Sequence, residues 1–362
     1  MGTSRIQFVW RRPADLRLAT TAASLHSHTL HSREMLDFVP RLCRSIPGLG
    51  VAVRQVSRSH RIRWQNAWWT PPSGARQAWL IETRQIEALG LAPLVSLTDH
   101  DDIEAPLQLQ AAHGLEAAPL SVEWTVPWGA TFFHLGVHNL PDARVWASMK
   151  AAGQRAVRDL LAALHANPEV LVVFNHPFWD ERGIGHVPHA AAVDDFMARC
   201  APFVHAIELN GLRSWSENRR AIDFAAAVGK PVISGGDRHG CEPNACLNLT
   251  RATTFSDFVS EIRSGHSSVL FMNQYRESRA YRIAQSVREV LRYDPSHSLG
   301  WKAWNDRIFY AREDGQIQSL RELWGEESPL LTRCFLAAAD LAAHAPLRFA
   351  LRAAFPPDQE LA

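Results

Sequence analysis

Short apolar, β-branched runs alternate with amphipathic stretches through most of the chain, as expected of strands interleaved with helices. The clearest strand-type runs are Pro93–Leu97, Leu120–Trp124, Val170–Phe174, Val204–Leu209 and Pro231–Ser234. Weaker ones lie at Ser24–His28, Thr131–Val137 and Ser268–Met272. Between them the spacing of apolar residues predicts helices over Ala75–Leu89, Ala152–Leu164, Asp194–Arg199, Glu217–Val228 and Ser256–Arg263. Gly90 and Gly229 follow two of these stretches, where a residue free to turn left-handed ends a helix. Such alternation argues for an α/β fold with parallel strands and crossover helices, and the number of runs favours a closed barrel. From about Tyr281 the pattern changes. Ile283–Leu291, Leu320–Trp324 and Leu330–Ala343 read as helices with no strand between them. A barrel domain over residues 20–280 and a helical C-terminal extension over 281–362 are therefore expected. Pro47–Gly74, carrying Trp64, Trp68 and Trp69, reads as a loop over the barrel mouth.

Composition narrows the function classes. Hydrophobic residues fill 46% of the 362 positions, enough for a sizeable core. The 38 basic and 37 acidic residues leave a net charge of +1, which disfavours a long duplex-binding surface. No apolar run reaches the ~18 residues of a transmembrane helix, and Met1–Pro13 lacks the apolar stretch of a secretory signal. Cys43, Cys200, Cys241, Cys246 and Cys334 are too scattered for a disulfide framework, and Cys241 with Cys246 lacks the second pair of a zinc site. A cytoplasmic protein with no membrane partner follows as the expectation.

The chemistry sits where strand-type runs end. In Leu25-His26-Ser27-His28-Thr29 the two imidazoles are spaced to share one face of a strand and one metal ion. Leu94–Thr98 runs into Asp99-His100-Asp101, where capping explains an Asp but not the His. Glu123 follows a run that looks buried, where a lone carboxylate needs a cation or a solvent-facing position. Alternation places His134 and His138 on one face of their strand, one a candidate ligand and the other a core histidine. Val170–Asn175 delivers His176 into a turn fixed by Pro177, and Glu208 lies near the end of another strand. In Gly235-Gly236-Asp237-Arg238-His239 an extended chain would put Asp237 and His239 on one face. Each is ambiguous alone. Together, His26, His28, His100, Glu123, His176, Asp237 and His239 fall at strand exits, where barrel active sites collect.

In this order the segments resemble the polymerase and histidinol phosphatase (PHP) family: LHSHT, SLTDHD, VEW, NHP and GGDRHG are similar to its motifs, over Ser24 to Gly240. The resemblance implies a distorted (β/α)7 barrel holding two or three divalent metal ions, Mn, Zn or Fe. By motif, His26, His28, His100, Glu123, His176, Asp237 and His239 would be ligands. Glu34 would stand in for the family's ligand after the second His, although a surface helix-start residue is its plainer reading. His134 and His138 both remain candidates for the remaining ligand. The family's acidic residue before the first motif is Ser24 here.

The implied activity is a metal-dependent phosphoesterase that attacks phosphorus with a metal-activated water, with a small phosphomonoester as the favoured substrate. His176 or His239 would protonate the leaving oxygen, and Asp99 would orient a ligating imidazole. Arg33, Arg213 and Arg238 are candidate phosphate clamps, with surface ion pairs as the plainer reading. Two alternatives stay open: a phosphodiesterase or nuclease acting on nucleic-acid ends or cyclic phosphates, and a catalytically silent metal-binding regulatory domain.

Overall fold

The computed structural model describes residues 3–12, 15–37, 62–291, 303–312 and 314–324, with a few isolated positions besides. In chain order the first elements are β1 (Thr3–Phe8), β2 (Thr21–Ser24), β3 (Glu34–Met35), β4 (Ala67–Trp69), α1 (Ala75–Glu87), β5 (Ala92–Val95) and α2 (Glu104–Gln110). There follow β6 (Val122–Trp128), β7 (Thr131–His138), α3 (Ala143–Lys150), α4 (Val157–Ala166), β8 (Leu171–Phe174), α5 (His186–Cys200), β9 (Ala206–Asn210) and α6 (Trp215–Ala227). The chain continues through β10 (Val232–Gly235), β11 (Cys246–Thr250), α7 (Phe255–Arg263), β12 (His266–Phe271) and α8 (Arg279–Val290). It ends, as far as described, with β13 (Ile308–Ala311), β14 (Ile317–Ser319) and α9 (Leu320–Trp324).

Three sheets result, ordered β1-β12-β11-β2-β5, β10-β9-β8-β7-β6 and β14-β13-β4-β3. Strands β8, β9 and β10 coincide closely with the apolar runs, because each is fully buried and so reads as mostly Val, Ile, Leu and Ala. Strand β5 overlaps its run over Pro93–Val95, while β2 ends at Ser24, where the expected strand begins. Gly90 and Gly229 end α1 and α6 with φ of 75° and 68°. The core lies between the sheets and their outer helices, with Val172, Phe174, Phe196, Ile207 and Leu209 fully buried at its centre.

Four expectations need correction. The strands are not all parallel: β6 and β7 form an antiparallel hairpin and β7 is antiparallel to β8. The hairpin turns at Gly129, whose φ of 60° suits glycine. Strand β11 was missed because Asn248 interrupts its apolar pattern; it is antiparallel to β12 and β2. The Asn248 amide is nevertheless satisfied in the core, accepting from Ser234 N at 2.8 Å and donating to Ser234 O at 3.2 Å. The tail is not purely helical, since β13 pairs with both β14 and β4, while Leu330–Ala343 lies outside the described residues. Finally, among the described residues no sheet closes on itself.

The two five-stranded sheets are instead joined by isolated bridges outside their ladders. Ser27 bridges Arg238, and His100 bridges Glu123. Backbone bonds reinforce both seams: Asp237 N donates to His26 O at 2.7 Å, His28 N to Arg238 O at 2.9 Å, and Glu123 N to Asp99 O at 3.1 Å. Bonding between the segments after β2 and β10 starts with Gly236 N donating to Leu25 O at 3.0 Å and continues where His26 and Asp237 take left-handed φ of 63° and 54°, which breaks the pleat. Both seams carry residues of the candidate site.

Candidate metal centre

Glu123, fully buried, stands at the centre. Its Oε2 lies 3.0 Å from His26 Nε2, 3.3 Å from His28 Nε2 and 3.2 Å from His100 Nδ1. Its Oε1 lies 3.2 Å from His176 Nε2 and 3.6 Å from His134 Nδ1, and accepts from Asn175 Nδ2 at 2.9 Å. Two further carboxylates complete the array. Asp237 Oδ1 is 3.7 Å from His26 Nε2 and 3.6 Å from both His28 Nε2 and His239 Nδ1. Glu34 Oε2 is 3.3 Å from His100 Nε2 and 3.2 Å from His239 Nε2.

These side chains form four overlapping groups with ligand-type atoms within 4.8 Å of one another: His28-Glu34-His100-His239, His26-His28-Asp237, His26-Glu123-His176 and His100-Glu123-His134. His26 Nε2, His28 Nε2, His100 Nδ1 and Glu123 Oε2 are buried and make no hydrogen bond of proper geometry. A buried polar atom left unpaired costs about 1–3 kcal/mol, so four aimed at one region call for a cation. Imidazole and carboxylate donors together suit divalent Mn, Zn or Fe. The residues present therefore fit divalent metal ions.

The electrostatics agree. Burial opposes ionisation of Glu123, yet the nearby imidazoles, His26 and His100 foremost, hold its carboxyl well below the usual range. Glu34 and Asp237 are likewise held well below it against burial, by His100 and His239 and by His28, His26 and His239 respectively. Ionised carboxylates in a buried pocket demand positive charge among them, which protonated imidazoles or divalent cations supply. Burial keeps His134 well below the ordinary imidazole range, so its ring is neutral at pH 7 and free to ligate.

Local folding aims each group. His26, His176 and Asp237 all have positive φ, of 63°, 24° and 54°. A non-glycine residue there costs energy and persists only where its surroundings over-determine it. His26 and His28 thus converge through a left-handed turn, not through strand alternation as the sequence suggests, and Asp237 reaches His239 in the same way. Glu208 supplies the main support. It accepts from the Nδ1 side of His26, leaving Nε2 to face Glu123, and accepts from His176 N at 2.8 Å. Asn210 Nδ2 bridges Glu208 and Asp237 at 3.0 and 3.1 Å. His239 Nδ1 donates to Asp237 O at 2.9 Å, which fixes Nε2 toward Glu34.

The expected site residues divide accordingly. His26, His28, Glu34, His100, Glu123, His134, His176, Asp237 and His239 come together. His138 does not join them: its Nδ1 pairs with Ser96 Oγ at 2.8 Å, and burial pushes its pKa down to about 3. Four residues on from His134 along β7, it belongs to the deeper core. Asp99 orients no ligating imidazole; it binds Thr29, accepting the hydroxyl at 2.6 Å, and burial raises its carboxyl to about 7. Arg238 alternates away from Asp237 and His239, as strand-like geometry dictates, and is buried with its Nε 2.9 Å from Glu82 Oε1. Ser24 donates to the other oxygen of Glu82 at 2.8 Å. Arg213 does reach the array, with its guanidinium 3.3 Å from Asp237 Oδ2 and 4.0 Å over the Trp179 ring. Arg33 is exposed at the rim, 5.4 Å over Trp68.

A cavity of about 600 Å³ opens beside the array, lined by Glu34, His100 and His134 and by the cations Arg33, Lys150 and Arg182. Glu181 lines it too, 4.0 Å from His134 Nδ1. Glu208, Asn210, Asn175 and Glu181 are the residues sequence reading did not assign. Glu208 was visible as a carboxylate in a buried strand, but its partner His26 lies 182 positions away. Of the tryptophans, Trp124 and Trp128 pack into the core, while Trp69 faces His239 with ring centroids 5.8 Å apart.

No family model matches the chain, and no curated protein matches it. Among solved structures it is similar to PsfC from Pseudomonas syringae PB-5123, at 14% identity over 74% of this chain and 96% of that one, with a TM-score of 0.44. It is also similar to an amidohydrolase from Chromobacterium violaceum with bound sulfate and no metal, at 16% identity over 60% of this chain and 87% of that one, TM-score 0.35. A third likeness is to a protein described as a metal-dependent phosphoesterase from Bifidobacterium adolescentis, at 16% identity over 54% of this chain and 92% of that one, TM-score 0.34. All three likenesses are shallow, and the chemistry is read from the side chains themselves.

Proposed function

We propose that this chain is a metal-dependent phosphoesterase of the PHP type, acting on a small phosphomonoester. One observation carries the reading: five imidazoles converge on the two oxygens of a single buried carboxylate, Glu123. The order of the converging segments, and the ring β2-β5-β6-β7-β8-β9-β10 completed by the two seams, support a distorted seven-stranded barrel.

His26, His28, Glu123 and Asp237 would hold one divalent ion, Glu34, His100 and His239 a second, and His134 and His176 with Glu123 a third. Bound there, such ions supply Lewis acidity toward a phosphoryl oxygen and water of lowered pKa. The chain's own side chains do the rest. Glu208 and Asn210 fix His26 and Asp237, so little reorganisation is needed when substrate arrives. Arg33, Arg182 and Lys150 at the cavity wall attract the anionic group, and a guanidinium can grip it bidentately. Arg213 restrains the outer oxygen of Asp237. The near balance of total charge and the confined cavity favour a small substrate over a polymer.

With added Mn²⁺ the purified protein should hydrolyse a generic aryl phosphate, and a nucleotide monophosphate faster than a short oligonucleotide. Chelation should abolish turnover. Replacing His26 and Asp237 together by Ala should lower both bound metal and turnover; full activity in that double variant would reject the assignment.

A further inference from the structure

We infer that the C-terminal segment is part of the catalytic apparatus, because β13 and Arg307 position Glu34, a proposed metal ligand. The inference rests on the metal-site reading above. Every other proposed ligand lies in or just beyond a strand of the two large sheets, or between their seams. Glu34 does not. It sits in β3, a strand of two residues whose only strand partner among the described residues is β4, with Glu34 opposite Trp69 and Met35 opposite Trp68.

A two-stranded ribbon this short is unstable in water by itself. Strand β13 supplies the missing neighbour, pairing Ile308 with Trp69, Phe309 with Trp68 and Tyr310 with Ala67. The sheet has its own small core in which Leu36, Ala67 and Tyr310 are buried together, drawn from three distant parts of the sequence. Arg307 then ties the sheet to the body of the protein. Its guanidinium is buried, donating from Nη1 to Thr70 O at 2.8 Å and from Nη2 to Val290 O at the end of α8, while its own carbonyl accepts from Thr70 N at 3.0 Å. Arg satisfies two separated carbonyls at once from a fixed planar fork, whereas the donors of Lys all radiate from a single nitrogen.

The same sheet bears on the ligand group that Glu34 joins. Trp69 lies against His239, and Glu34 Oε2 faces both His100 and His239. Ser32 Oγ donates to Glu34 Oε1 at 2.6 Å and accepts from His100 N at 3.1 Å, so it orients the Glu34 carboxyl toward His100, while the Glu34 backbone is held in β3. The strand contributed by the tail therefore braces the ribbon that carries Glu34 and Trp69 beside His239, while Ser32 links the Glu34 carboxyl to His100.

The test is Mn²⁺ binding to the full-length protein, by equilibrium dialysis with elemental analysis, for wild type, Arg307→Ala, Tyr310→Ala and Arg307→Lys, each also in a Glu34→Ala background. Arg307→Ala and Tyr310→Ala should weaken one class of bound Mn²⁺ by at least about tenfold, as for loss of a ligand's supporting partner. They should leave the remaining metal in place and add nothing to the loss caused by Glu34→Ala. Arg307→Lys should fall between wild type and Arg307→Ala. Tyr310→Ala carries the test if Arg307→Ala fails to fold. Wild-type Mn²⁺ binding in a folded variant, or a further loss in the Glu34→Ala background, would overturn the inference. If wild type itself bound no divalent ion, the metal-site reading would fall instead, so the two failures are distinguishable.

Discussion

Three carboxylates and six imidazoles share one buried space, and several are held by partners outside the array. Glu208 is the most connected of these partners, touching His26, the backbone of His176 and Asn210. Gly235 makes room for it: a Cβ at that position would fall 1.7 Å from Glu208 Oε1 and 2.5 Å from its carboxyl carbon. Gly235→Ala should therefore act as Glu208→Ala does, lowering affinity for Mn²⁺ or Zn²⁺ by about 10–100-fold. Isothermal titration of both variants checks this, and unchanged affinity in Gly235→Ala would show that Glu208 does not set the ligand geometry. Arg238 illustrates the reverse case. Its place within GGDRHG suggests a phosphate clamp, but its charge is spent on Glu82 in the interior, where breaking the pair would leave an uncompensated buried charge.

Among elements, the β8–β9 pair shows how a buried histidine fixes register without taking part in chemistry. His205 Nδ1 accepts from Val172 N at 2.9 Å, so its Nε2 carries the proton and donates to His165 Nδ1 at 2.9 Å. Burial, with Arg263 adding to it, pushes the His205 pKa down to about 3, below the ~6.5 of an unfolded chain. Because the folded value is the lower one, the neutral ring's contribution is complete above pH 6.5 and drains away as pH falls toward 3. The limit is about 1.4 kcal/mol per pH unit. The stability gap between wild type and His205→Asn should thus narrow between pH 7 and 5, by at most about 2 kcal/mol. Urea unfolding at the two pH values measures it, and a gap independent of pH would contradict the assignment. Element by element, continuous apolar runs gave the buried strands away. The β6–β7 hairpin, Asn248 in β11 and the short β13 escaped, because direction and edge pairing depend on neighbours that periodicity does not encode.

Across the protein as a whole, the array joins the loops after β2, β5, β8 and β10 with residues of β3, β6 and β7, so ions bound there would tie distant segments together only when folded. A species that binds the folded and not the unfolded chain stabilises by mass action, about 2.7 kcal/mol per site at a hundredfold excess over Kd. EDTA should accordingly lower the calorimetric unfolding midpoint, and restored Mn²⁺ should recover it; a midpoint indifferent to both would count against a metal centre that spans the fold. Pairing crosses the expected bounds of residues 20–280, β1 with β12 and β13 with β4.

The chain's order of residues determined the candidate ligand types, the place of His26, His28, His100, His176, Asp237 and His239 just beyond strands, and the α/β alternation, because these follow from side-chain chemistry and from burial patterns a few residues long. Only the tertiary structure decided that His134 and not His138 faces Glu123, that Arg238 turns inward, that Asp99 serves Thr29, and that Glu34 hangs on a strand from the far end of the chain. Those outcomes turn on left-handed turns at His26, His176 and Asp237 and on contacts between residues many positions apart. Local periodicity carries no information about either.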